Sequence, residues 1–200
     1  MIEEESWGIL TKKQFDQFLD QFTKKFGVPI HSKRLSFSFW DHNRNEIDTR
    51  IRITNGKAEI MQKIGDVGEG QKRVRSERKI DLKSDLNEIF NSYQIFRVLI
   101  PGNDSCYIYQ HDNYIFKQPT FEIKITHQSG KTEKYNFEVE AIGNNIDLSL
   151  ILKDLKLFDL ITTTDVEFWN KWNEELNLKD HDLDEKQIQV LINKYLTNVT

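Results

Sequence analysis

Residues 48–53, Asp-Thr-Arg-Ile-Arg-Ile, would place Arg50 and Arg52 on one face of an extended segment and Thr49, Ile51 and Ile53 on the other. The same two-residue spacing of like charge recurs along the chain. Glu3 and Glu5 open it, Arg73 and Arg75 follow, Glu138 and Glu140 come late, and Lys63 lies between the basic pairs. Like charges side by side destabilise an exposed sheet, so their repetition points to an enclosed site with something to neutralise. Arginine forks and lysines bind phosphate oxygens. Carboxylates hold Mg²⁺ or Mn²⁺, hard cations that bridge to phosphates. Together these are the parts of a phosphoryl-transfer site. The same alternation also describes an antiparallel sheet with one wetted face, and on the residues alone both readings stand.

The elements that must position these groups are mostly strands. Residues 11–26 are predicted to form a helix, with Thr11 and Gln14 at capping-box spacing and Phe15, Phe18, Leu19, Phe22 and Phe26 as its stripe. Period-two stretches follow at 34–40, 46–54, 57–64 and 72–80, with Asn55-Gly56 as a hairpin turn and the glycine-rich 65–70 as a loose connection. A second helix is predicted over 84–93. Strand-like stretches resume at 93–100, 106–116, 120–127 and 134–141, with turns at Pro101–Asp104 and Ser129-Gly130. From Asn145 onward the pattern is helical, including a capping-box spacing at Thr164 and Glu167 and an aromatic face of Phe168, Trp169 and Trp172. No βαβ rhythm appears, so the predicted class is α+β, an antiparallel sheet or barrel with attached helices. A barrel of about eight strands would have room for one small ligand.

Composition sets the outer bounds. The 200 residues are 38% hydrophobic and 30% charged, which suits a globular protein with a real core. The net charge of -4 gives no global attraction to duplex nucleic acid or an anionic membrane, so any anion site must be local. Cys106 is the sole cysteine, which excludes an internal disulfide, and the five histidines lack zinc-ligand spacing. The acidic N-terminus carries no signal-like apolar run, and a cytoplasmic location is the expectation.

In the order of these motifs the chain resembles the CYTH superfamily, the triphosphate tunnel metalloenzymes. The opening Glu-x-Glu-x-Lys strand of that family is matched in its acids by Glu3-Glu4-Glu5-Ser6-Trp7, and its Arg-x-Arg strand by Arg50-Ile51-Arg52. Its lysine–glycine strand is similar to the stretch ending Lys63-Ile64-Gly65, its Arg-x-Glu strand to Arg75-Ser76-Glu77, and its closing acidic strand to Glu138-Val139-Glu140. The resemblance implies a closed eight-stranded antiparallel β-barrel, or tunnel, over residues 1–160, with a C-terminal helical extension over 161–200. It implies metal-dependent hydrolysis of inorganic, nucleoside or thiamine triphosphate. Glu3, Glu5, Glu138 and Glu140 would hold Mg²⁺ or Mn²⁺, with Glu5, Glu138 and Glu140 in catalytic roles. Arg50, Arg52, Lys63, Arg73 and Arg75 would hold the phosphates.

The chain departs from the family in two places. Trp7 stands where the first strand has a lysine, and the family's Lys-x-Arg strand after the middle helix has no clear match, with Arg97 and Lys117 as substitutes and His111 the polar candidate between them. Two alternatives follow: a polyphosphate- or nucleotide-binding module with weak or no catalysis, and cyclase chemistry on ATP. In each case the expected partner is a small triphosphate or nucleotide.

Overall fold

The alternation of apolar and polar side chains resolves into long antiparallel strands with helices laid on their apolar faces. The structure is a computed structural model that describes residues 2–40, 47–65, 73–100, 106–143, 146–162 and 165–197. The side chains of Ile2, Glu3, Trp40, Arg73, Val74, Arg75 and Val166 lie outside that description, as do the 66–70 part of the glycine-rich connection, the Pro101–Asp104 turn and the proposed cap at Thr164. In chain order the elements are β1 (Ile2–Leu10), α1 (Lys12–Phe26), β2 (Ile30–Trp40), β3 (Ile47–Thr54), β4 (Lys57–Gly65), β5 (Arg73–Leu82) and α2 (Leu86–Leu99). There follow β6 (Tyr107–Lys117), β7 (Phe121–Ser129), β8 (Glu133–Ala141), α3 (Leu148–Asp154), α4 (Val166–Leu176), β9 (Leu178–Lys179) and α5 (Glu185–Thr197).

Eight long strands form an antiparallel sheet in the order β2-β3-β4-β5-β1-β8-β7-β6, with the two-residue β9 beside β6. An additional antiparallel pairing sets Ile30–Ser38 of β2 against Ile115–Tyr107 of β6. The β3–β4 hairpin turns at Asn55 and Gly56, both at positive φ (47° and 79°), the geometry that an Asn-Gly pair supplies at low strain.

The outward faces are apolar and helix-covered. Phe15, Phe18 and Phe22 of α1 and Leu148 and Leu152 of α3 pack over Ile123, Ile125, Phe137 and Val139 of β7 and β8. On the far side, Ile89 and Tyr93 of α2 and Ile188, Ile192 and Tyr195 of α5 cover Leu35, Phe37, Phe39, Ile51 and Ile53 of β2 and β3. The predicted α1 capping box is present: Gln14 N donates to Thr11 Oγ1 at 3.2 Å and Thr11 N to Gln14 Oε1 at 2.8 Å. At α4 the cap is Asp165, whose carboxylate accepts from Phe168 N at 2.7 Å. No helix among the described residues is long and apolar enough to cross a membrane.

One prediction fails outright. Residues 93–100, expected as a strand, continue the second helix to Leu99. The aromatic and branched residues suggested a strand, but Ile89, Tyr93 and Phe96 recur at helical spacing and fill one core.

β1 is held where it is by a close approach. A Cβ added to Gly8 would stand 2.2 Å from the Leu160 carbonyl oxygen and 2.4 Å from the Phe137 ring. Gly8→Ala is therefore expected to destabilise the fold by about 1–3 kcal/mol through overpacking. Thermal unfolding measures this, and an unchanged midpoint would mean that the turn carrying Leu160 can move aside.

Candidate functional site

The inward phase of the strands is mostly polar and charged, with Met61 and Trp7 as apolar members. Arg34, Arg50, Arg52, Lys63 and Lys124 surround a single cavity of about 140 Å³ together with Asp48 and Glu138. Tyr109, His111 and Asn113 of β6 and Thr126, Gln128 and Asn136 of β7 and β8 complete its side wall. Trp7 of β1 meets Trp169, Trp172 and Asn173 of α4 at the cavity. The Trp7 ring lies 5.0 Å from Trp169, 5.1 Å from Trp172 and 5.8 Å from Phe168, so the aromatic face of α4 packs onto Trp7. The question set by the two arginines has a geometric answer: they face inward.

Their charges are balanced across strands. Arg50 Nε donates to both Asp48 oxygens, at 3.0 and 2.9 Å, and its guanidinium lies 5.1 Å from the Tyr109 ring. Arg52 pairs with Glu59, directly opposite on β4, and sits 3.7 Å from Glu77. Lys63 stands 3.4 Å from Glu77, its register partner on β5. Lys124 pairs with Glu138, its register partner on β8.

These contacts set the protonation states. Burial works against the Arg50 charge, but Asp48 outweighs it and holds the guanidinium well above its usual range. Burial likewise works against Lys124, and Glu138 reverses the effect. Burial pushes the Glu77 carboxyl up, yet Lys79, Lys63 and Arg52 together hold it down at about 2. His111 has only weak help, from Glu138. Burial, then the charges of Arg34, Arg50 and Lys124, press its imidazole down to about 3, so it is neutral near pH 7.

The remaining predicted residues separate into two groups. Glu5 is 2% exposed and lies opposite Glu140 on β8, with Trp7 opposite Glu138. Its charge acts on Arg50 and Lys124, although neither Glu5 nor Glu140 lines the cavity. The backbone register sets Glu3 opposite Arg75 and Glu5 opposite Arg73. Arg97 and Lys117, by contrast, are not brought to the cavity. Arg97 is on helix α2, where its Nε donates to the buried Asp180 at 3.1 Å alongside the Tyr93 hydroxyl and Cys106 N. It neutralises a carboxylate that would otherwise be costly to bury. Lys117 ends β6, exposed, 3.5 Å from Glu122.

Arg34 and Lys124 supply the cations that Arg97 and Lys117 were expected to give. Neither belongs to a like-charge pair, which is why a search for pairs misses them. The available signal was phase: Arg34 shares its face of β2 with Ser36 and Ser38, and Lys124 shares its face of β7 with Thr126 and Gln128, all of them polar. His111, not ranked above a surface or core histidine by spacing, lines the cavity.

No family model and no curated protein matches the sequence. Solved structures do match the backbone. The PH1012 protein from Pyrococcus horikoshii superposes with a TM-score of 0.62 at 13% identity, over 82% of this chain and 96% of that one. A conserved hypothetical protein from Pyrococcus furiosus gives 0.59 at 14% identity, over 82% and 97%. HpAC1 from Hippeastrum, a putative adenylyl cyclase reported to have a dominant triphosphatase activity, gives 0.57 at 13% identity, over 88% and 97%. The chain shares the fold of these proteins.

The neutral imidazole makes stability depend on acid. Between its ordinary 6.5 and about 3, the unfolded chain binds a proton at His111 that the folded protein refuses. The contribution is complete above pH 6.5 and is lost as pH falls toward 3. Chemical denaturation of His111→Asn across that window should show a shallower fall in midpoint than wild type. An equally steep fall would mean that the imidazole titrates as it does in water.

Proposed function

We propose that the protein binds the phosphate chain of a triphosphate compound in this cavity and hydrolyses a phosphoanhydride bond with the help of Mg²⁺ or Mn²⁺. The observation that carries the reading is the convergence of Arg34, Arg50, Arg52, Lys63 and Lys124 on one cavity inside a sheet of this fold. The cross-strand pairing of β2 with β6 supports the sheet's being wrapped into a barrel, which would make the cavity a tunnel. The reported triphosphatase activity of HpAC1 supports the choice of substrate.

The roles follow from position. Arg50 and Arg52, fixed by Asp48 and Glu59, present guanidinium edges to phosphate oxygens and to the charge that develops on them in the transition state. Lys63 and Lys124 add point charges from the adjoining strands, each steadied by a carboxylate. In the reaction a water oxygen bonds to phosphorus, the bridging P–O bond breaks, and the proton released from water leaves with solvent. Fixed cations stabilise the departing phosphate without reorganisation.

Among the described residues, no group of three or more His, Cys, Asp or Glu side chains is placed to hold a metal ion, and the Glu3 side chain is outside that set. Magnesium does not need such a cage, since it takes one or two carboxylates and completes its shell with water and phosphate oxygens. Glu138 lines the cavity and would offer one such carboxylate, while Glu5 and Glu140 face each other in register on β1 and β8 outside the lining. A bound ion would there neutralise phosphate charge.

Trp7 favours a second reading. The indole occupies the place where the family has a lysine and is packed against three aromatic rings, so the first strand brings no cation at that place. Binding without turnover would then be the function, and calorimetric heat with no phosphate release would identify it.

Purified protein should release phosphate from inorganic triphosphate only when Mg²⁺ or Mn²⁺ is added. Glu138→Gln should lower the rate on the order of 10²-fold or more while leaving the protein folded by circular dichroism. Turnover that persists in chelator, or that Glu138→Gln leaves untouched, would defeat the hydrolase reading.

A further inference from the structure

Among the described residues, four of the five cations on the cavity have carboxylate partners: Arg50 with Asp48, Arg52 with Glu59, Lys63 with Glu77 and Lys124 with Glu138. Arg34 is different. Among the described residues its side chain makes no ion pair, and its one side-chain hydrogen bond runs from Nε to Thr54 Oγ1 at 3.2 Å. A guanidinium carries five N–H donors in a rigid fork. Here the terminal nitrogens have no acceptor among the described residues.

The surroundings make this arrangement unfavourable in the empty protein. Arg34 lies partly buried on β2, opposite Thr54 on β3 and His111 on β6. Arg52 and Arg50 act on it with like charge, and Glu138 and Glu59 offset this only partly. Burial and these neighbours press the guanidinium down to about 10. Across the strand pair, Asn113 is already engaged: its amide donates to the Ser32 carbonyl and its Oδ1 accepts from Thr126. The His111 ring has no hydrogen-bond partner among the described residues, so it retains a ring N–H to donate.

We propose that Arg34, with His111 opposite it, forms a phosphate-binding subsite on the β2–β6 strand pair, the fork gripping two oxygens of one phosphate group and the imidazole donating to a third. The proposal rests on the reading of the cavity as a polyphosphate site and names the residues that touch the ligand first. The other four cations, already neutralised by their carboxylates, shape the field and orient the chain. Among the described residues Arg34 is the cavity cation without a carboxylate partner, and a ligand phosphate would supply one. A condensed phosphate, with oxygens on every phosphorus, matches the donor set. A carboxylate ligand would satisfy the fork but leave the imidazole without an acceptor.

The test uses the full chain and inorganic tripolyphosphate, with and without Mg²⁺, read by calorimetry and by thermal unfolding. Arg34→Gln should weaken binding about tenfold or more, since it removes a charge-assisted pair of hydrogen bonds. The same variant should leave the ligand-free unfolding midpoint unchanged or raised, because it removes an uncompensated charge. Arg34→Lys should recover part of the affinity, restoring charge without the fork. Lys117→Gln, off the cavity, should bind as wild type does.

Arg34→Gln that binds tripolyphosphate within about twofold of wild type would overturn the subsite. So would a fall in the ligand-free midpoint, which would show Arg34 to be structural. Wild-type protein that binds no tripolyphosphate would overturn the functional reading and the subsite with it.

Discussion

Strand register is the constraint on which the rest of the structure depends. It sets Lys63 opposite Glu77, Arg52 opposite Glu59 and Lys124 opposite Glu138, so that charges which would be costly to bury singly are buried as pairs. A slip of one residue on any of these strands would turn its inward charges onto a helix-covered apolar face. That face is itself demanding. The buried outward cores of β2, β3, β7 and β8 are phenylalanine, isoleucine, leucine and valine, and four helices cover them. Apolar cohesion outside thus fixes the register that makes a charged interior tenable.

Much of this was legible from side-chain phase alone. The alternation of Asp48, Arg50 and Arg52 with Thr49, Ile51 and Ile53 identified both the strand and its two environments, and the structure brings Arg50, Arg52, Lys63 and Glu138 to one cavity. The Thr11–Gln14 cap and the Asn55-Gly56 turn were legible because each rests on local hydrogen bonding or local φ. Arg97 was not, because branched and aromatic residues in α2 suggested a strand where tertiary packing makes a helix. Asp180, its partner, is distant in sequence and no local pattern joins them. Arg34 and His111 stand singly among uncharged inward neighbours and Lys124 follows an acid, Glu122, so none of them belongs to a like-charge pair that would announce it.

The last helices take part in the same packing. Ile188, Ile192 and Tyr195 of α5 share a core with β2 and β3, and Gly56 of the β3–β4 turn donates to the Tyr195 carbonyl at 3.2 Å. Leu176 at the end of α4 accepts from Lys131 N at 2.7 Å, tying that helix to the β7–β8 turn. Asp180 gathers donors from α2 and the start of β6. A shared fold does not fix chemistry, and in this chain the cavity's character comes as much from Trp7 and α4 as from the strands.

The aromatic packing at the cavity has an optical corollary. Of the chain's four tryptophans, Trp7, Trp169 and Trp172 all border the cavity, within a few ångströms of one another. Three of the four indoles therefore lie beside the cationic chamber that the Lys124–Glu138 pair also lines. The protein carries its own fluorophore at the place where an incoming anion would change the local field.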